Sequence, residues 1–151
     1  MQSVKPASAP SRLFEQFLAL VGVVVCLIIS ARIWPLVSGQ QPMWPLPGLY
    51  LLEMGAMSLL GAFSVVRGHP KDGRLTWAGV GVILAFALIG AWSIGLAYLP
   101  VVAIFAITAI LVDRRQRQNM VAHWGIAVVA GLAQIALMFA AIRVLDPNAM
   151  F

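Results

Sequence analysis

The sequence predicts an all-α, polytopic integral membrane protein: a five-helix transmembrane bundle with its N-terminus inside and its C-terminus outside. Three observations carry that expectation. Of 151 residues, 62% are hydrophobic and only 10% charged, where a soluble domain has roughly half and a quarter. The apolar residues gather in runs long enough to cross a bilayer. The ten Lys and Arg fall in short clusters between those runs. A soluble chain this short has too much surface for its volume to hide so much apolar side chain. Its length fits one domain.

Residues 1–12, with Pro6, Pro10 and several small residues, read as a flexible cytoplasmic tail. A single membrane domain then spans 13–145. Its first helix is expected near 13–33, with Glu15 and Gln16 at the start and Arg32 at the end. That apolar stretch exceeds the roughly 7 to 15 residues of a signal peptide, and no A-x-A-like site follows it. The helix is therefore expected to be retained. The outer loop from Trp34 to Pro47 contains Pro35, Pro42, Pro45 and Pro47. Prolines cannot continue a helix, and Pro47 opens the next one. That second helix is expected near 46–66, interrupted only by Glu53, with an inner turn from Arg67 to Arg74.

The third apolar run decides the span count. Leu75 to Val112 holds 38 residues without a charge. As one helix it measures roughly 57 Å at about 1.5 Å per residue, nearly twice the hydrocarbon core of about 30 Å. Gly95 permits a tight turn. Leu99 is biased away from helix by Pro100, which suits a helix's first position. Two helices near 75–92 and 98–112 follow, with Trp92 and Tyr98 at one interface. A last helix near 120–142 and a short outer tail at 146–151 complete the chain.

Charge placement tests the count independently. Five spans put Lys5, Arg12, Arg67, Lys71, Arg74, Arg114, Arg115 and Arg117 inside, and only Arg32 and Arg143 outside. This is the asymmetry of the positive-inside rule. Four spans move Arg114, Arg115 and Arg117 outward and erase it. Tryptophans agree: Trp34, Trp44 and Trp92 fall near outer ends, Trp77 and Trp124 near inner ends. A bacterial cytoplasmic membrane is the expected location.

Glu53 is the most informative side chain. It lies seven residues into its helix, roughly 10 Å deep at about 1.5 Å per residue. Ionisable groups at that depth are costly and face a bundle interior or a wet cavity. Gln134 lies at similar depth, and Arg32 and Arg143 sit at outer helix ends, so these four form a candidate intramembrane polar cluster. Its first reading is a latch between helices; others are a proton or cation site and a contact for a partner subunit. Arg114, Arg115 and Arg117 are candidates for setting orientation or meeting anionic lipid head groups. Small residues recur at four-residue spacing as Ser58 and Ala62, Gly81 and Ala85, and Ala127 and Gly131. Such pairs let helix backbones approach closely.

Function is bounded more than stated by these residues. The net charge of +5 sits at membrane flanks, so no nucleic-acid partner is expected; the expected partners are the bilayer itself, then a larger membrane complex or a second copy. Cys26 is the single cysteine, which excludes an intrachain disulfide and a CxxC centre. His69 and His123 make a poor haem or zinc set, so no cofactor is expected. The motifs of a nucleophile elbow, a zinc-binding HExxH helix and a P-loop are missing. These features point first to a non-enzymatic accessory, assembly or scaffolding component. The alternatives are a small transporter or channel using Glu53, and a membrane enzyme acting on lipids.

Overall fold

The computed structural model of the chain describes residues 9–38, 46–68, 73–90 and 94–145. Residues 1–8 and 146–151, the loop holding Trp44, the turn holding His69 and the residue Trp92 lie outside them. The described residues form five helices: α1 (Ala9–Ser38), α2 (Leu46–Arg67), α3 (Gly73–Ile89), α4 (Leu99–Gln116) and α5 (Met120–Leu145). A 3-10 turn over Gly95–Tyr98 leads into α4. Four stretches, Arg12–Leu36, Gly48–Arg67, Gly95–Gln116 and Met120–Val144, are long and apolar enough to cross a membrane. The chain is thus an all-helical, multi-pass membrane protein by length and composition.

α3 is the fifth apolar helix and the shortest, at 17 residues. It is also the most enclosed, packing against α2, α4 and α5. A helix that is apolar all round belongs in such a place.

Side-chain contacts define the topology. Arg12, near the start of α1, donates to the carbonyls of Val66 and Arg67 at the end of α2. Thr76 at the start of α3 meets Ser64 of α2, Trp77 of α3 meets Asp113 at the end of α4, and Asp113 meets His123 at the start of α5. The helices therefore alternate in direction, and one end of the bundle collects the starts of α1, α3 and α5.

Several boundaries differ from expectation. α1 begins at Ala9, inside the expected tail, and runs through Pro35 to Ser38. Pro35 leaves the Ala31 carbonyl without its helical N–H partner, and only three residues of α1 follow it, so the break in the ladder falls at the helix's end. There Ser38 Oγ donates to the Pro35 carbonyl at 3.3 Å. α3 ends at Ile89 rather than Trp92. The chain then folds back so closely that a Cβ on Gly95 would lie 2.5 Å from the Gly90 carbonyl carbon and 2.6 Å from the Ala87 oxygen. Only glycine fits against that backbone. We expect Gly95→Ala to cost at least about 1–3 kcal/mol, the usual range for overpacking; thermal unfolding in detergent checks it.

α4 extends to Gln116 and closes through Arg117, whose φ of 51° is left-handed. The Gln118 N–H donates to the Asp113 carbonyl at 3.1 Å, which completes a Schellman-type end. Asn119 Oδ1 then accepts from Val121 and Ala122 N–H at 3.2 and 3.4 Å, capping α5. The α4–α5 connection is therefore only residues 117–119, shorter than the gap from 113 to 119 between the two expected helices.

Packing at mid-bundle relies on large rings set against glycine. The Phe105 ring of α4 lies between α1 and α2, 2.9 Å from where a Cβ on Gly22 would stand and 3.1 Å from one on Gly61. The two small-residue pairs of α3 and α5 face each other. A Cβ on Gly81 would lie 2.0 Å from the Ala127 carbonyl oxygen, and one on Gly131 would lie 3.1 Å from the Gly81 oxygen. Two aromatics expected at interfaces point inward instead: Trp77 is 1% and Tyr98 0% exposed. Each has a hydrogen-bond partner, buried Asp113 for Trp77 and half-buried Ser30 for Tyr98, and an aromatic with its polar atom satisfied is stable in a core.

Candidate functional site

Glu53 and Gln134 come together. Glu53 is half-buried on α2, Gln134 is buried on α5, and both side chains line one groove. They stand in a groove of about 480 Å³ between the helices. Leu49, Leu52 and Ala56 of α2 and Leu137 and Ala141 of α5 complete its walls. Tyr50 also borders the groove, and its hydroxyl is buried without a hydrogen-bond partner among the described residues. The groove has the size of a small-ligand pocket, but it opens at the side of the bundle, between Leu52 at 59% and Leu137 at 63% exposure.

This placement follows from how the helices pack. α2 and α5 both lie on α3 and touch each other only slightly. Because Gly81, Ala127 and Gly131 seat α5 deep on α3, a cleft is left on the outward side between α5 and α2. Glu53 falls on the wall of that cleft. A carboxyl there is reached from the bilayer, while the bundle interior is filled by Met54, Ile83, Phe86, Val101 and Phe105.

Arg32 and Arg143 are not part of this constellation. Both are exposed, and neither makes a hydrogen bond or ion pair among the described residues. Arg143 borders a shallow patch with Ala136, Phe139 and Ala140. On the α5 helix those residues lie opposite Gln134. Arg32 ends an exposed ridge of α1.

The opposite end of the bundle holds a polar layer that sequence reasoning passed over. Glu15 of α1 accepts from Arg115 Nε at 2.9 Å on both carboxylate oxygens. Asp113 is buried and accepts from Trp77 Nε1 at 2.8 Å through Oδ2. Its Oδ1 lies 2.8 Å from His123 Nδ1; with the carboxylate as acceptor, that nitrogen is the donor. Ser64 and Thr76 hydroxyls lie 2.7 Å apart. Together with Arg12 on the α2 carbonyls, these contacts join α1 to α2, α1 to α4, α2 to α3, α3 to α4 and α4 to α5. Each of these contacts pairs polar groups on two different helices, the arrangement that low-dielectric surroundings favour.

Of the three arginines singled out at this end, Arg115 turns inward to Glu15, while Arg114 and Arg117 are exposed. Local symmetry would have exposed part of the layer in advance. Asp113 and His123 are equidistant from Gln118, the middle of a tight turn, so an antiparallel pair brings them together. Ser64 and Thr76 are likewise equidistant from residue 70. Glu15 and Arg115 are 100 residues apart, and no local rule reaches that pairing. Among the described residues, no three His, Cys, Asp or Glu side chains group as metal ligands. Compared with protein-family models, curated proteins and solved structures, the chain matches none.

Proposed function

We propose that this chain is a non-enzymatic structural component of a membrane assembly: a rigid helical block that engages other membrane-embedded helices at its side. The observation that carries the reading is the lateral position of Glu53. A polar group within a span is retained at a cost, and one that faces sideways is suited to a partner inside the bilayer. The polar layer supports the same reading, because it ties the helices into one unit without using the groove. We place that layer in the cytoplasm of a bacterial cell, with the N-terminus inside, because Arg12, Arg67, Arg74, Arg114, Arg115 and Arg117 gather there. Reporter fusions at the two termini test the orientation.

The assembly reading is tested by purifying the tagged chain from its native membranes in mild detergent and weighing what emerges. The expected result is a particle of fixed composition larger than one chain. Replacing Glu53 by leucine should lower recovery of that particle severalfold while leaving the chain folded. A lone monomer in every mild detergent and in native-lipid nanodiscs overturns the reading.

A transport role is the second reading, and the Glu53–Gln134 pair at span depth is the observation that favours it. Proteoliposome flux of protons or common cations that disappears in Glu53→Gln supports it. Equal leak with and without the protein rejects it for those ions.

A further inference from the structure

We infer that the α2–α5 groove is filled by a second copy of this chain, whose α1 ridge lies in it and brings Arg32 to Glu53. The inference rests on the lateral-docking reading above and names its partner.

Charge complementarity is the first argument. Glu53 lies at span depth, and no cationic side chain lines its groove. Arg32 is exposed near the same end of the bundle and lacks an anion among the described residues. Within one chain the two stand on different sides. A second copy supplies to each what its own chain does not.

Shape is the second. Leu20, Val24, Ile28 and Arg32 recur every four residues on α1, and all four are exposed. Residues at that spacing form a ridge, and ridges of one helix seat in grooves between others. The groove walls, Leu49, Leu52, Ala56, Leu137 and Ala141, are apolar, as the Leu–Val–Ile part of the ridge is.

Depth is the third. Cys26 Sγ donates to the Met54 carbonyl at 3.6 Å, which puts Cys26 and Met54 at one level. Arg32 is six residues beyond Cys26 toward the end where α2 begins, and Glu53 is one residue beyond Met54 in the same direction. At about 1.5 Å per residue their Cα levels differ by only about 8 Å. Side chains lean toward their own helix's N-terminus. Arg32 on α1 therefore leans down toward Glu53, and Glu53 on the antiparallel α2 leans up toward Arg32. Arg143 does not compete: it is nine residues above Gln134, about 14 Å at about 1.5 Å per residue.

Ridge and groove are different patches of one surface. The contact is therefore heterologous, and it closes as a ring or continues as a row depending on its rotation.

Cysteine cross-linking of the full chain in reconstituted bilayers tests the inference. In a Cys26→Ala background, copies carrying Ile28→Cys are mixed with copies carrying Leu52→Cys, so a disulfide between the two positions joins different molecules. The expected result is a cross-linked pair on mild oxidation, absent when either kind of copy carries its cysteine at Val129 instead, on an exposed face away from ridge and groove. Glu53→Gln or Arg32→Gln should each lower the cross-link yield at least about fivefold, a loss of roughly 1 kcal/mol. The exchange Glu53→Arg with Arg32→Glu should restore it. The first cross-link alters neither charge, so it holds even if a charge variant fails to fold. No cross-link, or a yield unchanged in both single variants, overturns the self-docking. A monomer that retains a different protein in fixed ratio also overturns it and leaves the lateral-docking reading standing. A monomer that retains nothing overturns both.

Discussion

Gly81→Val is expected to prevent α5 from seating on α3, with a loss of folded protein larger than any other single substitution on this interface. A Cβ at position 81 would stand 2.0 Å from the Ala127 carbonyl oxygen and 2.8 Å from its carbonyl carbon. Both obstacles are backbone, so no rotamer change relieves them. Overpacking that can relax costs about 1–3 kcal/mol; here the helices must separate, which also opens the Gly131 contact. We expect at least about 3 kcal/mol, read as lost thermal or SDS resistance. Gly55→Ala is the internal control. Nothing lies within 4 Å of a Cβ there, and alanine gains helix propensity of up to about 1 kcal/mol over glycine. Similar losses at the two sites would show that small residues matter here for composition and not for close approach.

Asp113→Ala should be the most damaging change in the polar layer. Its carboxylate alone accepts from two buried donors, the Trp77 indole N–H and His123 Nδ1–H, both at 2.8 Å. A buried donor left without an acceptor costs about 1–3 kcal/mol, so the two together give about 2–4 kcal/mol after partial relaxation. Asp113→Asn should cost less. Its amide oxygen still accepts from Trp77, and its NH2 donates to His123 once the imidazole adopts the other tautomer. Thermal unfolding of the three proteins in one detergent orders them: aspartate, then asparagine, then alanine. Equal stability of alanine and wild type would mean that water enters this end and replaces the carboxylate. Glu15→Ala offers a comparison, since it strands the guanidinium of Arg115, whose Nη2 is already buried without a partner among the described residues.

How much was legible in advance follows from the range of each interaction. The number of helices was, because span length against bilayer thickness is a local quantity and the 38-residue run of Leu75 to Val112 could not be one span. The break at Gly95 was visible for the same reason, since glycine and proline act on their own backbone. Helix ends were less so. Pro35 reads as a breaker, yet α1 passes through it to Ser38, because a single lost hydrogen bond at the Ala31 carbonyl disturbs only the end of a 30-residue helix. The inward turn of Trp77 and Tyr98 was not visible either. An interfacial tryptophan and a buried one look alike until their hydrogen-bond partners, Asp113 and Ser30, are placed.

The sequence by itself determined the class of the molecule, its five apolar helices and the few residues whose chemistry sets them apart: Glu53, Gln134, and the small pairs at Gly81 and Ala127. Composition and spacing suffice for that, because lipid imposes one strong rule on every residue of a span. Only the tertiary structure decided who meets whom. It set Gly81 against Ala127, gave Glu53 an amide rather than an arginine, turned Arg115 to Glu15 and opened the cleft between α2 and α5. Those outcomes depend on the order of helices around the bundle. In lipid that order is chosen by close packing and a few polar contacts, which are non-local and leave no periodic mark in the chain.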